Sequence, residues 1–183
     1  MRSWILIVFL LAFNPLLGQT AVDENRIFWS ETRKLAVNDF GIKTQEGESN
    51  SSFAQFSMDY EIRGFDFMAK SFNKKVRNYF IKSASWIDTT NNVSVSLRYL
   101  QTVFDLSEIY TRQFRKLLKK NRMKIGYGMK IIEELNDKIV TDLSNRRLGY
   151  ERDTKSGTLL DKQAEWELQI QKELRELKEF AYE

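Results

Sequence analysis

The spacing of apolar residues changes halfway along the chain. Between residues 26 and 73, apolar and polar positions alternate in short runs, and beyond residue 93 apolar residues recur every three or four positions. Alternation is typical of half-buried strands, and the longer spacing is typical of one face of an α-helix. Strands first and helices later predict an α+β fold, in which a small N-terminal antiparallel sheet packs on C-terminal helices.

The first half predicts short strands rich in aromatic residues. They cover residues 27–29, 35–37, 53–63 and 65–73. A polar loop at 43–52 separates the first two from the last two, which flank Gly64 and are expected to pair with each other. Residues 77–87 are either a further strand or a short connection.

The second half predicts three amphipathic helices, over residues 93–120, 129–149 and 160–180. The apolar face of the first helix consists of Tyr99, Val103, Leu106, Tyr110, Phe114 and Leu117. Such faces normally pack on the rest of a domain.

Residues 1–19 have the layout of a secretory signal peptide. Arg2 precedes an apolar run, and Asn14-Pro15 interrupts that run before a cleavage site. The apolar run ends at Leu17, which is short of the roughly 20 residues that span a bilayer, although an uncleaved anchor is the alternative. The prediction is a bacterial protein that is periplasmic or secreted, with residues 20–183 as one domain and no stable membrane span after signal removal.

The composition narrows the class of protein to which the chain can belong. The chain is 42% hydrophobic and 13% aromatic, as in a packed domain, and it has no cysteine and therefore no disulfide. The net charge of +4 is small, and the basic residues between Arg112 and Arg122 indicate either solvated helix faces or a site for an anionic ligand. Aromatic residues do not interleave with these cations, so nucleic acid is not an expected partner.

One segment of the first helix carries a chemical signature. Residues 99–106 read Tyr-Leu-Gln-Thr-Val-Phe-Asp-Leu. The segment resembles the H-E-Q-x-H-F-D-I helix of the predicted secreted zinc-dependent peptidases of bacteria, also called domain of unknown function nine hundred and twenty-two. In such helices two histidines four residues apart bind zinc, and the glutamate between them activates water. Here Tyr99 and Val103 occupy the histidine positions and Leu100 the glutamate position.

A second segment extends the resemblance. Residues 150–157, Tyr-Glu-Arg-Asp-Thr-Lys-Ser-Gly, are similar to the family's Y-D-x-E-T-x-H-G, and Gln163 and Trp166 match a following Q-x-x-W. The histidine of this block, a plausible third ligand, corresponds to Ser156.

The resemblance implies a zincin-like fold from which the chemistry has been lost. The chain contains no histidine, and tyrosine, valine and serine cannot replace imidazole ligands. We therefore expect no catalytic residue, no metal ligand and no cofactor, with Tyr99, Leu100, Val103 and Ser156 as vestigial positions. The residues expected to support this site are Gln101, Asp105, Glu108, Arg112 and Tyr150.

Three functions follow from the sequence. The leading hypothesis is an exported, catalytically inactive peptidase-like domain with a binding or structural role, whose partner is an unknown protein or envelope component. The second is a hydrolase that uses carboxylates such as Asp105, Glu108 or Asp153, or a metal held by oxygen ligands. The third is a module that binds anionic glycan or lipid through the basic run 112–124.

Overall fold

The computed structural model describes residues 24–44, 51–62, 66 and 68–182, so the predicted signal peptide lies outside the described residues. The described part contains a four-stranded sheet and four α-helices, which confirms the α+β class. The strands are β1 (Arg26–Phe28), β2 (Ile42–Thr44), β3 (Phe53–Tyr60) and β4 (Val76–Asp88). The helices are α1 (Val93–Lys120), α2 (Arg122–Ile125), α3 (Lys130–Thr154) and α4 (Leu160–Glu176).

Strand β4 is the centre of the sheet. Strands β1 and β3 both pair antiparallel with Tyr79–Ile81 of β4, which places them on opposite edges. Strand β2 pairs with Trp86–Asp88 in the parallel direction, so the small sheet that was expected to be antiparallel is mixed. Gly41 accounts for this course, because its N–H donates to the Lys82 carbonyl at 2.9 Å and a Cβ atom there would lie 2.6 Å from that oxygen. Only glycine lets the backbone come this close.

The predicted strand at 35–37 is also wrong. The Leu35 N–H donates to Oε1 of Gln101 on α1 at 2.8 Å, and residues Val37–Asp39 form a 3₁₀ turn. The Asp39 carboxylate closes that turn by accepting the Ala36 N–H at 2.9 Å. Side chains, and not a neighbouring strand, therefore satisfy this backbone.

The predicted strand at 65–73 is wrong where the structure describes it. Residues Phe72–Lys75 form a 3₁₀ turn with Phe72 buried, and β3 pairs with β4 instead. Residues 63–65 and 67, including Gly64, lie outside the described residues. Residues 77–87, for which the sequence predicts either a strand or a connection, belong to the central strand β4.

The predicted helices agree with the structure more closely than the predicted strands do. Helix α1 matches its predicted bounds, whereas α3 continues past Gly149 to Thr154 and the last helix ends at Glu176 before a 3₁₀ turn at Lys178–Phe180. A Cβ atom at Gly149 would have no neighbour within 4 Å, so this glycine fulfils no packing requirement that would end the helix.

Helix α1 is the central element of the core. One side packs on the sheet through Leu100 and Phe104, which join Phe40, Phe80 and Ile87. The following turns pack on α3 and α4 in a second cluster that includes Leu106, Ile109, Phe114, Ile139 and Ile170. Within the described residues, no helix is long and apolar enough to cross a membrane.

Candidate functional site

Three of the four vestigial positions lie on α1, Tyr99 and Val103 on one face and Leu100 on another. Tyr99 stacks on Tyr150 of α3 with ring centroids 5.1 Å apart and planes 9° from parallel. Val103 is one helical turn further along and is buried. Leu100, the position of the family glutamate, packs in the sheet-facing cluster with Phe80 and Ile87. All three side chains therefore contribute to packing.

Ser156 meets Tyr99 from a loop of unusual conformation. Lys155, Ser156 and Gly157 have φ values of 46°, 54° and 85°, so three consecutive residues are left-handed. The Ser156 N–H donates to the Glu151 carbonyl at 3.1 Å, which satisfies the end of α3. A Cβ atom on Gly157 would lie 2.8 Å from Cβ of Tyr99. The loop thus packs directly against the tyrosine.

The phenol of Tyr99 is in a partly dehydrated environment. Burial, followed by the charge of Glu151, raises its pKa to about 12, while Arg147 and the Ser156 side chain act in the opposite direction. Burial disfavours the phenolate because an ion loses its hydration inside the protein. Tyr99 is therefore a neutral phenol at physiological pH.

A fully satisfied polar network lies beside the stacked tyrosines. The Tyr150 hydroxyl donates to Oε1 of Gln163 at 2.6 Å, and Nε2 of Gln163 donates to Thr102 Oγ1 at 2.9 Å and to Glu167 at 2.8 Å. Arg98 binds the Glu167 carboxylate with two hydrogen bonds, of 2.7 and 2.8 Å. Burial raises the pKa of Tyr150. The network joins α1, α3 and α4, which fits a structural role for Tyr150.

The second block of the resemblance converges at the same place. Trp166 contacts the Tyr150 ring edge-to-face with centroids 5.3 Å apart, and Gln163 accepts the Tyr150 hydroxyl. Tyr150, Gln163, Trp166 and Ser156 therefore all surround Tyr99 or its stacking partner. Tyr99 and Tyr150, about 50 positions apart in the sequence, are therefore in contact, and the identity of the site stays a prediction.

Asp105 is a buried junction between α1, α4 and the segment after β1. Its Oδ1 accepts Trp29 Nε1 and Gln101 Nε2, both at 2.8 Å, and its Oδ2 accepts Gln171 Nε2 at 3.3 Å. Lys34 lies 3.8 Å away. Burial raises the pKa of Asp105 although these donors oppose the effect. Asp105 and Gln101 therefore hold the chain around residues 29–35 against α1.

Glu108 is buried between two arginines. Its Oε1 accepts Arg112 Nε at 3.1 Å and Arg115 Nη1 at 2.9 Å. Arg115 is 1% exposed and also donates to the carbonyls of Val76 and Phe180. Arg112 donates to the Leu174 carbonyl at 2.6 Å. Glu108 and Arg112 therefore form an i,i+4 ion pair within the core.

These contacts correct the interpretation of the basic run. Arg112 and Arg115 are committed to Glu108 and to backbone carbonyls, so neither can bind an external anion. The exposed cations begin only at Lys116 and Lys119. Sequence alone does not distinguish the buried arginines from the exposed lysines. The one available signal is spacing, because Arg112 and Arg115 lie four and seven residues after Glu108.

Each carboxylate of the hydrolase hypothesis is engaged by a different set of partners. Glu108 is bound to two guanidinium groups and Asp105 to amide and indole donors, whereas Asp153 lies on the exposed side of α3, 3.5 Å from Arg152. Among the described residues, no group of three or more histidine, cysteine, aspartate or glutamate residues is placed to hold a metal ion.

A groove of about 500 Å³ opens between β3 and α3. Strand β3 forms one wall, α3 forms the other, and α1 forms the floor with Ser107, Tyr110 and Thr111. Its apolar lining consists of Phe56, Met58, Tyr60, Ile139, Val140, Leu143 and Leu148. Arg147 and Glu151, whose charges act on Tyr99, lie along the same groove. This groove has no signal in the sequence, because it depends on how α3 is placed relative to β3.

Comparison of the chain with protein-family models, with curated proteins and with solved structures finds no match.

Proposed function

We propose that this chain is an exported, catalytically inactive peptidase-like domain that binds an extended segment of a partner protein in the cell envelope. The segment occupies the groove between β3 and α3. The observation that carries the proposal is the combination of this groove with a sheet edge, that of β3, which has no second strand partner among the described residues.

Packing at the vestigial positions supports the absence of catalysis. Tyr99 is stacked on Tyr150 and abutted by Gly157, and Leu100 fills a core cluster. A catalytic zinc centre needs ligands that converge on an open coordination position. The carboxylate alternative has less support, since Glu108 is neutralised by Arg112 and Arg115.

The strand edge supports an extended ligand. Since β1 and β3 lie on opposite edges of β4, the outer edge of β3 has no partner among the described residues. An exposed edge offers backbone donors and acceptors to an incoming strand, and alternate side chains of that strand would enter the groove. A volume of about 500 Å³ is in the range of ligand-binding clefts.

A displayed library of nine-residue peptides tests the binding role. Val140 lines the groove and is 50% exposed, so Val140→Arg fills the groove without opening the core. Leu168→Arg, at a position 73% exposed on α4, is the matched control. Enriched peptides should bind the wild type and the control equally and V140R at least tenfold more weakly. Failure to enrich any peptide, or equal binding by V140R, would overturn the proposed ligand.

Reinstalling the ligands tests the peptidase-like origin. If Tyr99, Val103 and Ser156 are former ligand positions, the triple variant Y99H/V103H/S156H should bind zinc, measured by competition with a chromophoric chelator. The control L168H/K172H places two histidines four residues apart on the exposed face of α4. We expect at least 100-fold tighter binding by the triple variant, provided its circular dichroism spectrum is unchanged. Equal affinity in a folded triple variant would remove support for the origin, as would stoichiometric zinc in the dialysed wild type.

A further inference from the structure

The connection between α1 and α3 forms a cationic tip, which we define as residues 119–130. It contains Lys119, Lys120, Arg122, Lys124 and Lys130, and no acidic residue occurs between Glu108 and Glu133. Lys119 pairs with Glu179 at 2.5 Å, and Lys130 lies 3.9 Å from Glu134. The charge of the tip therefore stays positive after these pairs are counted.

The same tip exposes large apolar side chains. Met123 is 73% exposed, Tyr127 is 92% exposed and Met129 is 39% exposed. Met68, 64% exposed, lies beside them, because its carbonyl accepts a hydrogen bond from Arg122. Apolar residues scattered singly on a surface are common, but three within one cationic tip, with Met68 beside them, are a specific arrangement.

The tip is held in place by the core. Ile125 of α2 is 2% exposed and belongs to the same cluster as Leu118 of α1 and Ile132 of α3. The exposed residues on either side of Ile125 therefore project from a fixed turn. A preformed surface loses little conformational entropy when it binds.

We propose that the cationic tip docks the domain on the surface of an anionic lipid bilayer. Lys120 and Lys124 meet the phosphate headgroups, while Met123 and Tyr127 enter the boundary between headgroups and acyl chains. An anionic glycan or nucleic acid would be satisfied by the cations alone and would leave the apolar side chains in water. The groove lies further along α3, from Asn136 to Glu151, so docking leaves it open.

The charges and apolar side chains of the tip determine how strongly each variant should weaken membrane binding. A cation near an anionic bilayer contributes about fivefold in affinity, so K120Q/K124Q should weaken binding by about 25-fold. M123S/Y127S should weaken it by at least tenfold, since both apolar side chains leave the membrane boundary. Binding should also fall as salt rises from about 0.05 to 0.15 M, because screening shortens the reach of the charges.

Sedimentation with vesicles tests the tip directly, using equimolar phosphatidylglycerol and phosphatidylcholine against phosphatidylcholine alone. The matched controls are K138Q/K172Q for charge and L168S for apolar exposure, since Leu168 is exposed by the same 73% as Met123. Residues 1–23 are identical in every variant, so differences between variants do not arise from them. The expected result is binding to the anionic vesicles only, weakened by both tip variants and by neither control.

A second measurement reports insertion. The chain has no cysteine, so Met123→Cys and Leu168→Cys each provide a single site for a polarity-sensitive dye. Anionic vesicles should shift the emission of M123C to the blue and leave L168C unchanged. Three results would overturn the proposal: no binding to anionic vesicles at low salt, equal binding by wild type and M123S/Y127S, or heparin binding that matches vesicle binding in all variants. The last two would indicate a site for soluble polyanions.

Discussion

Replacing Glu108 with glutamine should strongly destabilise the domain, because it removes a buried negative charge from between two buried positive charges. Glutamine has nearly the same shape, and its carbonyl can still accept one of the hydrogen bonds of 3.1 and 2.9 Å. The packing is preserved and the compensating charge is lost. Arg115 is then left with neutral carbonyl acceptors, those of Val76 and Phe180.

The size of the loss in unfolding free energy follows from the burial of Glu108 and Arg115. Burial already lowers the pKa of Arg115 in spite of the adjacent carboxylate of Glu108, which shows how unfavourable the dehydrated guanidinium is. Breaking a buried ion pair by removing one partner costs about 3–5 kcal/mol. Because a whole domain is stable by only about 5–15 kcal/mol, the variant should lose a large part of its stability. At about 2–4 °C per kcal/mol for a domain of this size, its Tm should fall by roughly 6–20 °C.

Urea unfolding followed by circular dichroism measures the change. The matched control is Glu176→Gln, since the Glu176 side chain is 61% exposed and lies 3.9 Å from Lys172. An exposed pair of this kind contributes at most about 1 kcal/mol, so the control should resemble the wild type. The slope of unfolding free energy against urea should be unchanged in both variants. A loss for E108Q within about 0.5 kcal/mol of the control would refute the reasoning.

Three further predictions test other contacts. Burial raises the pKa of Asp105 above 3.8, so the stability that this group contributes is fully present below pH 3.8 and is lost as the pH rises through the raised pKa. The unfolding free energy of the wild type minus that of D105N should therefore fall across this pH interval. A difference that does not change with pH would contradict this prediction. G157A should destabilise the domain by at least about 1–2 kcal/mol, because φ of Gly157 is 85° and the added Cβ atom meets Tyr99. G149A should instead stabilise helix α3 by about 0.5–1 kcal/mol. Thermal melts in which both variants shift Tm in the same direction would exclude this explanation. In an alkaline absorbance titration, Y99F should lack the tyrosine that titrates near pH 12 in the wild type. If Y99F instead lacks a tyrosine that titrates near pH 10, Tyr99 is not buried as described.

The helices were predictable because their periodicity is long and local. Helix α1 runs from Val93 to Lys120 as its apolar spacing predicts. The strands were less predictable, because pairing is set by distant residues. Nothing near Leu35 indicates that Gln101, 66 residues away, accepts its N–H, and nothing in β2 indicates that it runs parallel to β4.

The surroundings of Tyr99 also depend on distant parts of the chain. The resemblance predicts that Tyr99 and Ser156 belong to one site, and the structure puts the Ser156–Gly157 loop against Tyr99. That these are former ligand positions stays a prediction. The basic run was misread at Arg112 and Arg115, because charged residues are normally exposed unless a partner compensates them in the core. That partner, Glu108, was visible in the sequence, but its burial was not. The groove was not predictable, since its two walls come from β3 and α3 and no local pattern relates them.

The contact between Arg115 and Phe180 has a consequence for the order of folding. The carbonyl of Phe180, which accepts a hydrogen bond from Arg115, is 65 residues further along the chain. During synthesis the middle of α1 therefore emerges from the ribosome well before one of its acceptors exists. At about 5–20 residues per second, these 65 residues take roughly 3–13 seconds to appear. Over that interval the guanidinium lacks one of the acceptors that it has in the folded domain, so the hydrogen bonding of this part of the core is completed only when the turn at Lys178–Phe180 has been made.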